Sequence, residues 1–577
     1  MKHLSSRSFF SMAFVVIATC FLPLYLSAQW STDATVNNVV CSTVNQQLLD
    51  AHIASDGSGG ALIAWSDRNV VTNDYFVFVQ RISSDGKKLW AEDGVAVSTS
   101  PNEQHHSEIA GDGKGGAIVT WYESRNGKNE ARAQKISADG IVQWDAEGVP
   151  VSTAETHFQH STPVIVSDGS EGAIIAWADW RGDLYNGIYA EYAQRISANG
   201  TALWGIEGVP LNTPSKNSVE AQQIISDGNG GAIITWHSYI GSYPNGNQDI
   251  FAQKVNAAGN MEWGTDGLAV CSLTSPQLHP KLTEDGNHGA VIVWEDYRTS
   301  LSKSNLYAQK VNSAGMIQWA ADGVPVVPPV SLSMVNHEVA PDGSGGVFIT
   351  WQYSNSNVVT AQRLTSAGVN AWQGSGLDLG ASSSSYPQII SDGSTGAIIT
   401  WYDSRGSGSG DIYAQRITGN GSLLWNSKAV GVCTNSATQN SAQLTTDGHG
   451  GAIIAWADDR NNATKSTDIY AQQISASGTL GVITGLNEIS RQSMLDQNYP
   501  NPVKSGTKIR FKVSEPGYVS LKLFNMTGKE VTILVKTVMS PGSYSVDLDA
   551  TGLPAGIYAY CLQAGGKTHT RSLVVVK

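Results

Sequence analysis

Residues 55–68 read SDGSGGALIAWSDR, and close variants of that phrase recur seven more times before residue 460. Asp-Gly followed by another glycine is hairpin chemistry: glycine takes positive φ at no steric cost, and the Asp carboxylate accepts nearby backbone N–H groups. The apolar run that follows carries no alternating polar residue, the pattern of a strand covered on both faces. The phrase therefore reads as a turn feeding a buried strand. One carboxylate per turn offers too few oxygens for calcium, so these aspartates are assigned to structure and no metal site is expected.

Aligning the copies puts Trp65, Trp121, Trp177, Trp236, Trp294, Trp351, Trp401 and Trp456 in one column, at intervals of 50–59 residues. A period of that length marks a propeller or another stacked array. Each copy holds four short strand-like segments. The turn Asp precedes the Trp by nine residues in all eight copies, and the Gln of the YAQ segment precedes a second Trp by ten in seven, from Gln80 and Trp90 to Gln415 and Trp425. The other two connections drift, from 11 to 17 and from 20 to 26 residues. In an antiparallel meander alternate turns lie at opposite ends, so all the length variation falls on one face, where binding loops of repeat proteins collect.

The eighth copy ends at AQQISASGTLG without its second Trp, and the N-terminal QWSTDATVNNVVCST supplies Trp30 in the matching context. A strand from one terminus that completes the last repeat removes the exposed edge. The expected fold is all-β: an eight-bladed β-propeller over residues 29–480, closed by an N-terminal strand, with the first strand of each blade innermost. The third-to-fourth segment, as in AQKISADGIVQW (133–144), keeps Gly four residues before Trp in seven copies. It resembles the tryptophan-docking hairpin of eight-bladed quinoprotein-like propellers, which implies that the Trp packs between neighbouring blades. The adjacent Cys pair that family often places at its cofactor is absent, and no cofactor is expected.

Just after the first Trp, six copies carry an acid and an arginine: Asp67 with Arg68, Glu123 with Arg125, Asp179 with Arg181, Asp296 with Arg298, Asp403 with Arg405, and Asp458 with Arg460. With the neighbouring Tyr122, Trp180, Tyr297 and Tyr402, these arginines could grip an anionic or sugar ligand by forked hydrogen bonds and stacking. The competing reading is that each pair pins its own loop. The Gln of each YAQ segment is assigned to satisfying loop backbone. Histidines gather before the first strands, at His105, His106, His157, His160, His279 and His337, and His106 and His279 both precede their turn Asp by six. No GxSxG, HExxH or P-loop pattern occurs, and the turn Asp lies too far from the Trp for a sialidase Asp-box, so no catalytic residues are assigned.

Charged residues make up 15% of the chain while 60 glycines sit among many Ser, Thr, Val and Ile, a balance that favours short strands and turns. The net charge of −13 is thinly spread with no basic patch, which argues against a nucleic-acid partner. Lys2 and Arg7 precede an apolar stretch from Phe9 to Leu26 and small residues Ser27 and Ala28, the layout of a signal peptide over residues 1–28. No transmembrane segment is expected after its removal. Cys41, Cys271 and Cys433 occupy one repeat position, too far apart for bridging, so free thiols are expected there.

After residue 480 the period stops. A linker, GVITGLNEISRQSM (481–494), leads to alternating strand-like segments such as TKIRFKV and YVSLKLF, read as a small immunoglobulin-like sandwich over 495–577. NYPNP (498–502), GYVSLKLFNMTGKEV (517–531), PGSYSVDLDATGLPAGIYAYCL (541–562) and the terminal LVVVK closely resemble the type A C-terminal sorting domain of type IX secretion. Val503 and Cys561 depart mildly from that pattern. The resemblance implies the type IX machinery as a partner, passage through the periplasm, and an outer-surface or extracellular destination. The expected function is a secreted or surface propeller that binds a glycan or protein partner through the variable face; a polysaccharide-acting enzyme and a passive surface-layer component are the alternatives.

Overall fold

The computed structural model describes residues 30–481 and 494–577 except 44–45, 48–50, 126, 154–157, 160–161, 182–187, 214–218, 241–246, 355, 381–382, 406–409, 427–428, 462–466, 496–497, 499, 514–516, 527, 540–541 and 565–566. The signal-peptide reading, most of the linker, His157 and His160 lie outside the described residues. The chain divides into two compact units between Val482 and Ile483. Every regular element among the described residues is a strand.

The first unit is a series of eight antiparallel, propeller-like sheets among the described residues, seven of them following the chain in order. Sheet five is representative: Gln277–Glu284, Ala290–Asp296, Asn305–Val311 and Val324–Pro325. In sheets one and three the first strand is in two pieces, Gln46–Gln47 with His52–Ser55 and Phe158–Gln159 with Val164–Ser167. Sheet eight draws three strands from residues 439–474 and its fourth, Asn38–Cys41, from the other end of the unit, with Asn38 opposite Ala471. First strands lie side by side from each sheet to the next, and that of sheet eight lies against that of sheet one.

The repeated phrase explains this arrangement. In every turn one Asp oxygen accepts two backbone N–H groups, as Asp56 Oδ1 does from Ser58 at 2.7 Å and Gly60 at 2.8 Å. The other oxygen meets the residue after the YAQ glutamine: Arg81 at 2.9 Å, Arg195 at 2.9 Å, Arg363 at 2.8 Å, Arg416 at 2.8 Å, and lysines at 3.6–3.8 Å in sheets two, four and five. In sheet eight a neutral Gln473 takes that place, donating to Asp447 at 2.9 Å. The turn thus ties the second strand to the third. The second strands, such as Ala61–Ala64 and Ala290–Trp294, are fully buried between sheets, as their unbroken apolar runs require.

The second tryptophan joins one sheet to the next. Trp90 Nε1 donates to Ala138 O at 2.9 Å, Trp204 to Ala257 O at 3.1 Å, and Trp425 to Ala476 O at 3.0 Å. Trp30 does the same to Ser84 O of sheet one, at 3.0 Å. The ring lies on the hairpin glycine of the receiving sheet. At Gly140, with φ of +78°, a Cβ would stand 2.7 Å from the Trp90 ring, so both backbone conformation and close approach require glycine. The YAQ glutamine holds the same hairpin from within: Gln80 accepts from Arg81 N at 3.0 Å and Trp90 N at 3.1 Å and donates to Ala91 O at 2.6 Å.

The second unit pairs a three-stranded sheet with a four-stranded one over a core that includes Ile509, Phe511, Leu521, Leu523, Tyr560 and Leu562. Val503, where the sequence departs from its resemblance, is fully buried in it. The NYPNP segment fastens to distant strands. Asn498 N donates to Tyr560 Oη at 2.7 Å, and Asn501 Oδ1 accepts from Val574 N at 2.8 Å.

Candidate functional site

The first strands carry the most distinctive backbone of the first unit. In six sheets the register slips at one point, between residues such as Leu278 and Lys281 or Ser385 and Gln388. At each slip one non-glycine residue adopts left-handed φ: His106 (50°), Ala221 (56°), His279 (52°), Asn336 (52°), Tyr386 (51°) and Ser441 (53°). Each stands six residues before its turn Asp. A bulge re-aims a side chain, and a bulky residue in this region of φ is strained, a combination that concentrates at functional sites. Five of the six are exposed and Ala221 is half-buried.

Beside these bulges, between the first strands of sheets four to seven, lies a cavity of about 500 Å³ lined by Ala221, Gln223, His279, Lys281, Asn336 and Tyr386 among others. His279 Nδ1 is 3.4 Å from Glu295 Oε1, and Tyr297 Oη donates to Glu295 Oε2 at 3.5 Å. Glu295 raises the His279 pKa above its ordinary 6.5, against the opposing effect of burial. Lys281 Nζ donates to Glu338 Oε1 at 2.7 Å. His337 is buried with Nε2 3.2 Å from Val293 O, and burial lowers its pKa, which keeps it neutral. His237 stands edge-on to His279 with centroids 6.0 Å apart and lies 3.7 Å from Glu220. A second aromatic group forms at sheets one and two, where Tyr122 lies 5.3 Å from both His105 and His106, and Tyr75 lies 4.8 Å from His105.

The acid–arginine pairs stand at the ends of the second strands, at the same end as the bulges, because the slipped segment pairs with them: His105 faces Tyr122, and Gln277 faces Asp296. Each described guanidinium is engaged by its own sheet. Arg298 reaches Asp296 at 2.8 and 2.7 Å and lies 3.7 Å above the Tyr307 ring; Arg460 reaches Asp458 at 2.9 and 2.6 Å and lies 3.9 Å above Tyr470. Arg405 forks onto Asp403 over Tyr413, Arg125 bonds to Glu123 and to Glu147 at 2.6 Å, and Arg68 bonds to Asn73 beside Tyr75. The side chains of Arg181 and Trp180 lie outside the described residues.

The carboxylates face inward. Asp296, Asp403 and Asp458 are fully buried and accept from the indoles of Trp294, Trp401 and Trp456 at 2.9–3.0 Å; Asp179 accepts from Trp177 at 3.3 Å. Residues two apart on a strand share a face, so Trp-x-acid was a readable signal for this bond. Tyr122, Tyr297 and Tyr402 remain half-buried at the same end. Cys271 and Cys433 lie 3.5 and 3.3 Å from the guanidiniums of Arg298 and Arg460, and burial pushes the Cys41, Cys271 and Cys433 thiols up to about 12. They are free thiols that burial keeps protonated. Sequence reasoning picked out His106 and His279 in their column but missed Glu295, Lys281, Asn336 and Tyr386. The available signal was that column itself, which holds five residue types over six copies inside a repeated frame.

Residues 497–576 match the family described as secretion system C-terminal sorting domain. No curated protein matches the chain. Similar solved structures include puromycin hydrolase, at 11% identity over 75% of this chain and 61% of the hydrolase, TM-score 0.40. A PL25 polysaccharide lyase, an ulvan lyase, is 11% identical over 65% of this chain and 92% of its own, TM-score 0.38. The Hadza microbial sialidase Hz136 is 9% identical over 54% and 63%, TM-score 0.31. This chain thus spans less than two thirds of the hydrolase. The C-terminal unit carries the secretion system C-terminal sorting domain, and the protein is exported by type IX secretion to the cell surface or the extracellular space.

Proposed function

We propose that residues 29–480, exported behind a signal peptide of residues 1–28, form a closed eight-bladed β-propeller joined by a linker, 481–494, to the sorting domain at 495–577. The propeller binds a glycan or protein partner through the face that carries the bulges and the length-variable loops. One observation carries this reading: the same left-handed bulge recurs in six sheets while its residue varies among His, Ala, Asn, Tyr and Ser. A scaffold that holds a strained backbone position constant and varies the side chain there is a recognition surface. Trp30 docked on sheet one and the strand Asn38–Cys41 in sheet eight support closure. Tyr122, Tyr297 and Tyr402, with the outer edges of Arg68, Arg125, Arg298, Arg405 and Arg460, form the rim, and Trp180 and Arg181 belong to the same series.

The Glu295-supported His279 beside the cavity also favours a second reading, an enzyme acting on polysaccharide, because an imidazole fixed through one nitrogen by a carboxylate can transfer protons at the other. Presenting the exported protein with polysaccharides and cell-surface proteins, and scoring retention and release of reducing ends together, separates the two. Retention without release, weakened by substitutions on the bulge face, is the expected result. Release makes the protein an enzyme, and retention untouched by any substitution on this face removes the proposed surface.

A further inference from the structure

We infer that the cavity between the first strands of sheets four to seven binds a neutral, hydroxyl-rich glycan, with Tyr386 as the stacking platform and Asn336 and the His279 imidazole as hydrogen-bonding groups. This rests on the reading of the bulge face as the binding face and adds the ligand class. The cavity, about 500 Å³, is of a size that holds small ligands or a few sugar units. Tyr386 is 64% exposed, although an aromatic residue at a left-handed φ is strained. Such strain is retained where it serves to present the ring, and an exposed Tyr face suits the apolar side of a pyranose.

The charges around the cavity are paired. Lys281 is matched by Glu338 at 2.7 Å and His279 by Glu295 at 3.4 Å. Arg298, Arg405 and Arg460, which would otherwise grip carboxylates or sulfates, are held by their own buried acids at the rim. None of the six bulge residues is Asp, Glu, Lys or Arg. What remains to meet a ligand is amide, phenol and the imidazole Nε2 that does not face Glu295, groups that can donate or accept, the complement of sugar hydroxyls. A protein partner would need an apolar anchor. Among the cavity residues the only exposed large hydrophobic is Tyr386 itself.

The test is calorimetric titration of the full mature chain with neutral oligosaccharides (β-glucan, xylan and mannan fragments) and acidic ones (alginate, pectate and sulfated fragments). A neutral oligosaccharide should bind with an affinity unchanged between about 0.05 and 0.5 M salt, since no charge pair is formed. Tyr386→Ala and Asn336→Ala should weaken it at least about tenfold, while Tyr386→Phe, which keeps the ring, should bind nearly as wild type. Thermal melts of each variant report folding separately. Binding of acidic fragments alone, with steep salt dependence, overturns the inference while leaving the face as a binding face. Neutral binding unchanged by Tyr386→Ala, binding only to a surface protein, or no binding across the neutral panel overturns it as well. Binding of any class that only substitutions in the opposite, Asp-Gly turn face weaken overturns the underlying reading instead.

Discussion

At each turn a single carboxylate serves two directions at once. Asp392 accepts from Ser394 and Gly396 N–H through Oδ1 and pairs with Arg416 through Oδ2. Asp392→Ala leaves two N–H groups unbonded and takes the carboxylate partner from a largely buried guanidinium, so we expect a loss of about 2–4 kcal/mol in a urea denaturation series. Asp392→Asn should lose more than Asp447→Asn, because the partner of Asp447 is the neutral Gln473. Equal losses would show that the charge is immaterial. The His279–Glu295 pair adds a pH signature. The folded pKa of His279 is raised, so its stabilisation is fully present below its ordinary 6.5 and is lost as pH rises through the higher folded value. Melting temperatures measured from acid to mildly alkaline pH should show this decline, and Glu295→Gln should flatten it. The turn aspartates were legible because Asp, Gly and fixed spacing name their own hydrogen bonds. Tyr386 was not, since nothing local marks a left-handed φ at a tyrosine.

The unit of construction is the hairpin that receives a tryptophan from the preceding sheet. Trp30 fills this role for sheet one although it lies at the opposite end of the unit from the sheet it completes. It is 2% exposed, and Trp30→Ala should destabilise the first unit by about 3–5 kcal/mol, read as a lowered denaturation midpoint. A midpoint shift no larger than that of an exposed surface substitution would mean that the N-terminal strand is dispensable. The repeat period, the four-strand division and the docking Trp could all be read from spacing, because turn lengths are fixed where hydrogen bonds close them. The acid–arginine loops were less transparent. Their spacing allowed both ligand contact and loop pinning, and the indole bonds of Trp294, Trp401 and Trp456 show the acids turned inward.

On the scale of the whole molecule, a repeated scaffold is attached to an address. The sorting domain folds around its own core, which includes Leu521, Leu523, Tyr560 and Leu562, so the tail is a separate module from the cargo. Deleting residues 497–577 should leave the remaining chain behind the outer membrane, detectable by cell fractionation, and surface display of the truncated chain would contradict the assignment. Destination was legible because NYPNP and the strands after it form a specific pattern, whereas the ligand was not, because the proposed binding face takes one residue from each of several repeats. Hydrogen–deuterium exchange of the mature protein, with and without a retained surface polysaccharide, would locate the binding face. Binding at the bulge face should bring new protection around residues 106, 279, 336, 386 and 441 and the adjoining ends of the second strands, with the Asp-Gly turns unchanged. Protection confined to the Asp-Gly turns or to the sorting domain would contradict it.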